Sequence, residues 1–183
     1  MNEIVKTERL SMRPFTEDDL EWMIGHRTDA EVARYLGGLE LQTPSFVEKR
    51  LKLYIGCYRE LGLSMCLTSL RDNGRPVGIS GLKPLDKTGE IELGYSFDKD
   101  QWGKGLATEA ALAWLDFGFR ESGLERIVAV AEPENSASIR VMEKVGMKFE
   151  DKAFYYGFLL SRYAINKADF SGRLVLPNSQ RLG

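Results

Sequence analysis

The chain has 183 residues, 43% of them hydrophobic and 28% charged, with a formal net charge of −2. That length and balance fit one soluble domain with a full hydrophobic core and exclude the compositions of disordered or fibrous chains. Basic and acidic residues are mixed throughout, so no basic stripe offers itself to nucleic acid; the single histidine, His26, and two cysteines in no paired motif, Cys57 and Cys66, make neither a metal cluster nor a disulfide framework.

Residues 5–15 alternate (Val5, Leu10, Met12) and run into Pro14, which predicts a first strand. Thr16 with Asp19, and Thr28 with Glu31, have the spacing of helix starts, and Thr43 before Pro44 is a third. Residues 44–60 carry Phe46, Val47, Leu51, Tyr54, Ile55 and Tyr58 at helical spacing. Beyond Gly62 the texture turns to strands: residues 63–71 and 76–82 flank Asp72, Asn73, Gly74 and Arg75, and Asn-Gly between apolar runs predicts a hairpin. Residues 90–97 complete an antiparallel meander. A helix over 106–120, a strand over 126–131, a helix over 136–145 closed at Gly146, and aromatic strands through Tyr163 follow. The pattern is α/β (α+β) in one domain over residues 1–170, with a loosely held tail over 171–183. No segment reads as a signal peptide or a membrane span, so the cytoplasm is the expected compartment.

Between the meander and the next helix stands Gln101-Trp102-Gly103-Lys104-Gly105. Two glycines let a ligand approach backbone amides, and the following helix offers unpaired N–H groups and a positive dipole end, so a phosphate or pyrophosphate is expected. A Walker loop is absent, and Thr108 stands where a Rossmann fingerprint needs its last glycine. Taken alone, Gly-x-Gly is only a tight turn with an exposed lysine.

The flanking sequence goes further. Residues 102–107, followed by Thr108-Glu109-Ala110, resemble the Arg/Gln-x-x-Gly-x-Gly/Ala signature of the GNAT superfamily of acetyl-CoA-dependent N-acyltransferases, with Trp102 where the signature has Arg or Gln. Residues 131–150 resemble that superfamily's second motif, an Asn-x-x-Ser helix ending in Lys-x-Gly-aromatic, with Met147 at the aromatic position. Residues 7–19 and 29–36 resemble the RimJ/RimL-type branch. The resemblance implies a mixed central sheet of about six or seven strands with helices on both faces, and acetyl-CoA as co-substrate without a metal. It implies that the amides of Gly103, Lys104, Gly105, Leu106, Ala107 and Thr108 hold the pyrophosphate, that the strand edge at Tyr95, Ser96 and Phe97 pairs with pantetheine, and that Trp102, Asn135 and Ser138 border the cofactor.

Amine acetylation needs a neutral amine, an oxyanion donor and often a proton for the departing thiolate. By resemblance, the oxyanion donor is a backbone N–H of residues 93–96 at a bulge that Gly94 permits. The family's tyrosine acid falls on Met142, which leaves Ser138 as the candidate, although Asn135 and Ser138 also read as an ordinary helix cap and first turn. Glu90 and Glu92 share one strand face with Gly94 and Ser96; Glu92 is the candidate base, although the family register falls nearer Ile91 or Leu93. His26 reads as a structural or solvated histidine, and one of Tyr155 and Tyr156 is expected to line the acceptor pocket. The expectation is direct acetyl transfer from acetyl-CoA to a peptide N-terminus or small-molecule amine in a ternary complex, by a monomer or homodimer acting on neither nucleic acid nor membrane. The alternative is a non-catalytic CoA-binding sensor or interaction module; a phosphotransfer reading lacks metal-binding carboxylates.

Overall fold

The computed structural model describes residues 3–173; from residue 174 on, the expected loose tail lies outside them. Eight strands form one sheet in the spatial order β1 (Val5–Lys6), β2 (Leu10–Pro14), β3 (Met65–Leu70), β4 (Pro76–Pro84), β5 (Ile91–Phe97), β6 (Arg126–Ala131), β8 (Phe158–Asn166) and β7 (Lys148–Tyr155). The expected count of six or seven falls short because residues 5–15 are two strands: the chain turns at residues 7–9, where Thr7 N–H donates to Leu10 C=O, and Val5 returns opposite Met12. The hairpin predicted at Asn-Gly joins β3 to β4, with Leu70 N–H donating to Arg75 C=O and Leu67 opposite Ile79.

Helices α1 (Leu20–Thr28), α2 (Ala30–Ala33) and α3 (Pro44–Leu61) lie on one side of the sheet, and α4 (Leu106–Arg120) and α5 (Ser136–Lys144) on the other. Thr16 and Asp19 form the expected start: Thr16 N–H donates to the Asp19 carboxylate, which also takes a bidentate pair from Arg13. The second start falls one residue later than Thr28. Asp29 accepts from the amides of Glu31 and Val32, because Thr28 is still helical and turns its hydroxyl back to Ile24 C=O. Thr43 caps α3 through Phe46 N–H, and Gly62 ends it at φ +68°.

Strand alternation divides the core. Met65, Leu67 and Ile79 face Met23, Val47, Leu51 and Tyr54 of α1 and α3, while Cys66, Leu82, Leu93 and Phe97 face Ala110, Ala111, Trp114, Leu115 and Phe119 of α4. Each fully buried Leu or Phe contributes about 1.5–3 kcal/mol to this arrangement. Trp114 hides a polar atom there, and its Nε1–H is satisfied by Ser80 Oγ at 2.8 Å.

All neighbouring strands run antiparallel except β5 and β6, which are parallel and paired at Glu92↔Val128 alone. Beyond that pair they diverge, and the gap between Gly94, Tyr95 and Ser96 on one side and Val130 and Ala131 on the other opens into a cavity. The expected bulge in residues 93–96 is not what opens it: β5 keeps an unbroken register with β4 from Gly78↔Phe97 to Pro84↔Ile91. Gly94 instead sits tightly over Met65, whose side chain would lie 3.1 Å from an added Cβ.

Candidate active site

Two cavities meet at the wedge. One, of about 330 Å³, lies on the α1–α3 side and is walled by Arg27, Arg50, Lys83, Glu92 and Tyr156. The other, of about 400 Å³, runs from the wedge along Phe97, Trp102, Gly103, Gly105, Leu106, Ala107 and Thr108 to Arg140 and Lys144 of α5. Tyr35, Leu36, Tyr95, Ser96, Asn135 and Ser138 line both. Asp98 N–H bonds Val77 C=O and Leu85 N–H bonds Glu90 C=O, so the even-numbered residues of β5 spend their backbone groups on β4. By the two-residue alternation, Tyr95 turns its N–H and C=O into the wedge.

The loop before α4 has the shape of an anion cradle. Gly103 and Gly105 adopt φ +75° and +78°, a region that L side chains enter only under strain, and Gly105 is the N-cap of α4. Arg9 pins the loop from outside. Its guanidinium donates to Lys104 C=O at 2.8 Å and pairs with Glu109, whose carboxylate also accepts from Thr7 Oγ1 and Arg9 N–H. Burial would raise the Glu109 pKa, but those donors hold it below the usual range. With the Lys104 carbonyl tied back, the α4 amides face the cleft. Trp102 closes the loop by donating Nε1–H to Phe97 C=O at 2.8 Å. The Lys104 side chain is the departure from the expected set: it reaches back to Gln101 Oε1 and does not line the cleft.

At the junction, Tyr95 O–H donates to Ser138 C=O at 3.0 Å and its oxygen lies 3.1 Å from Ser138 Oγ. Burial raises the Tyr95 pKa, so the phenol stays a protonated donor. Asn135 Oδ1 accepts Ser138 N–H, an ordinary N-cap, while the residue still borders both cavities. Met142, at the family's tyrosine position, is buried in the core.

Two polar clusters adjoin the junction: one faces the first cavity through Glu92, Lys83 and Tyr156, and the other reaches it through Ser96 alone. Glu92, 7% exposed, accepts from Lys83 Nζ and Tyr156 O–H, each at 2.6 Å and both at Oε2. Among the described residues Oε1 has no partner. Burial works against the Lys83 charge, but Glu92 and Tyr156 outweigh it and hold the ammonium above the usual lysine range; burial and Glu92 push Tyr156 up to about 12. Tyr156 is the first residue of a two-residue turn joining β7 to β8, at φ +55° followed by Gly157 at +87°. A bulky non-glycine residue there is strained, and its hydroxyl is the centre of the cluster, also accepting Asp86 N–H at 3.0 Å. Tyr155 is buried in the core, so the pair divides as expected, with Tyr156 in a turn instead of on a strand. Glu90 faces elsewhere, paired with Arg126 and Arg162.

The second cluster contains His26, which the structure places as a buried, hydrogen-bonded histidine, the structural of the two expected readings. The imidazole is buried, stacked on Trp22, with Nδ1 2.6 Å from Asp98 Oδ1 and Nε2 2.9 Å from Ser96 Oγ. The network assigns the proton to Nδ1, donated to Asp98, and leaves Nε2 to accept from Ser96 O–H. Sequence reasoning missed this partnership because α1 meets the end of β5 only in the fold; 70 residues separate His26 from Ser96. Lys83 was legible in principle, since the hairpin register sets it directly opposite Glu92.

Comparison with known proteins gives the family as acetyltransferases of the GNAT fold. Residues 9–148 match the acetyltransferase (GNAT) domain model, and the chain belongs to that family. It is 33% identical over 148 residues to the uncharacterized protein YkkB of Bacillus subtilis, covering 78% of this chain and 84% of that one. A solved GNAT-family acetyltransferase from Bacillus anthracis superposes with TM-score 0.74 at 29% identity, covering 90% of this chain and 98% of the other. Spermidine N-acetyltransferase from Vibrio cholerae, solved with CoA and spermine, shares the fold at TM-score 0.72 and 17% identity, covering 89% and 98%. Ribosomal-protein acetyltransferases stand among the solved neighbours too, so the comparisons give the family and not the RimJ/RimL branch.

Proposed function

We propose that the protein transfers the acetyl group of acetyl-CoA directly to an amine held beside it. The observation that carries this reading is the meeting of the two cavities at Tyr95, Ser96, Asn135 and Ser138. One cavity has the anion cradle and the basic residues Arg140 and Lys144, suited to the pyrophosphate and phosphate of CoA. A structural neighbour from Vibrio cholerae was solved with both CoA and an amine, which supports two-substrate occupancy of such a cleft.

In this reading pantetheine pairs with the backbone of Tyr95 in the wedge, bringing the thioester to the junction. Glu92 Oε1 receives the ammonium. A proton leaves the amine to Ser96 Oγ, whose own proton passes to His26 Nε2, and Asp98 stabilises the imidazolium. The amine lone pair forms the C–N bond, the oxyanion takes the wedge-facing N–H, and as the C–S bond breaks the nitrogen's second proton passes by way of Ser138 Oγ to the departing thiolate, while the Tyr95 phenol, donating to Ser138 C=O, holds that serine in place. No acyl-cysteine is needed: burial pushes the Cys66 thiol up to about 12, far from a useful nucleophile.

Calorimetric titration with acetyl-CoA, followed by a thiol-release assay over peptide N-termini, amino acids and alkylamines, tests the proposal. Acetyl-CoA binding with amine-dependent thiol release is expected. Binding with no turnover on any amine would overturn the enzyme in favour of a CoA-binding module.

A further inference from the structure

Arg27 is buried to 6% exposure on the wall of the first cavity, yet among the described residues it has no carboxylate partner. Its Nε–H donates to Gln42 Oε1 at 2.9 Å, and Gln42 is itself fixed by donating to Leu36 C=O at 2.7 Å, so the guanidinium plane is set; its other side-chain neighbour is the neutral Tyr54 hydroxyl, which leaves the terminal nitrogens without a charged partner. The groups facing it make matters worse: Arg50, on the same wall, carries a second guanidinium, held over the Phe46 ring at 5.2 Å. Burial lowers the Arg27 pKa, Tyr54 opposes that, and Arg50 adds repulsion. The carboxylates on the cavity wall are Glu92, already paired with Lys83, and Glu132 beside the junction. A buried cation without a counter-ion is costly, and two together are tolerated where an anion completes the site.

We infer that Arg27 and Arg50 form an anion subsite, and that the acceptor is a small amine that also carries a carboxylate. This rests on the acetyl-transfer reading and narrows it. Guanidinium forks match a carboxylate bidentately; with the carboxylate there, the amine end extends along the cavity to Glu92 Oε1 and Ser96 at the junction. A polycationic amine would meet two guanidinium groups at the same wall. A cavity of about 330 Å³ suits a small amino acid or short peptide end better than a folded protein surface.

Binding decides the subsite independently of turnover. The CoA-saturated protein is titrated calorimetrically with amino carboxylates (γ-aminobutyrate, lysine, glutamate) and with their matched amines lacking the carboxylate, and the same pairs are run in the thiol-release assay. The best amino carboxylate is expected to bind at least about tenfold tighter than its match, a preference that falls toward unity in Arg50→Gln and in Arg27→Gln. Arg50 is only half-buried, so its variant remains informative if Arg27→Gln does not fold. Equal binding within every pair, or a preference unchanged in Arg50→Gln, would overturn the subsite. Preferential carboxylate binding without thiol release would leave the subsite standing and sink the transferase; turnover with no preference would do the reverse.

Discussion

Replacing His26 with glutamine removes the acceptor to which Ser96 O–H points while keeping a polar side chain beside Asp98. The expected result is a kcat lower by about 10²-fold, with acetyl-CoA affinity within error of the parent, because general-base assistance acts on the chemical step. Parallel loss in Ser96→Ala would mark the two as one chain; full kcat in both would remove them from the proton path. Ser138→Ala and Tyr95→Phe, tested singly and together, probe the thiolate side. The two side chains contact each other, so the double variant is expected to lose little beyond the worse single one. Additive losses would separate their roles.

At the scale of elements, the strained turn between β7 and β8 offers a clean separation of folding from function. Asparagine tolerates positive φ better than tyrosine, so Tyr156→Asn should melt no lower than the parent while its amine KM rises, since Glu92 loses one of its two donors. An unchanged KM would show that the Tyr156 hydroxyl serves the fold alone. The α4 cradle has the opposite sensitivity: Gly105→Val puts a β-branched residue at φ +78°, at a cost of about 1–2 kcal/mol, and acetyl-CoA binding should vanish. Undiminished affinity in a folded variant would discard the cradle. The start of α1 has an acid-labile component. Burial alone would raise the Asp19 pKa, but Arg13 and Thr16 outweigh it and hold it below the ordinary 3.8. Its contribution is therefore complete above that value and is lost as pH falls through the folded pKa. Melting temperatures from about pH 5 to about pH 2.5 should fall less steeply in Asp19→Asn than in the parent.

Across the whole molecule, what sequence made legible was local and what it hid was long-range. The Asn-Gly hairpin, the Pro44 helix start and the glycine turn before α4 each rest on residues a few positions apart, and each stands where the local rule put it. The split of the first strand was missed because a turn at Thr7, Glu8 and Arg9 carries no glycine or proline. The Ser96–His26–Asp98 and Glu92–Lys83–Tyr156 clusters depend on α1, the β4–β5 hairpin and the β7–β8 turn converging on one end of the sheet, which no spacing in the chain encodes. The wedge belongs to the same class: parallel pairing of β5 and β6 at a single position is a property of the assembled sheet.

That wedge is where the proposed reaction can be tested most directly, because direct transfer across the junction needs both substrates bound before reaction. Initial rates measured while acetyl-CoA and the best amine are varied together should give intersecting double-reciprocal lines, and protein incubated with acetyl-CoA alone should gain no acetyl mass. Parallel lines together with an acetylated protein would contradict direct transfer.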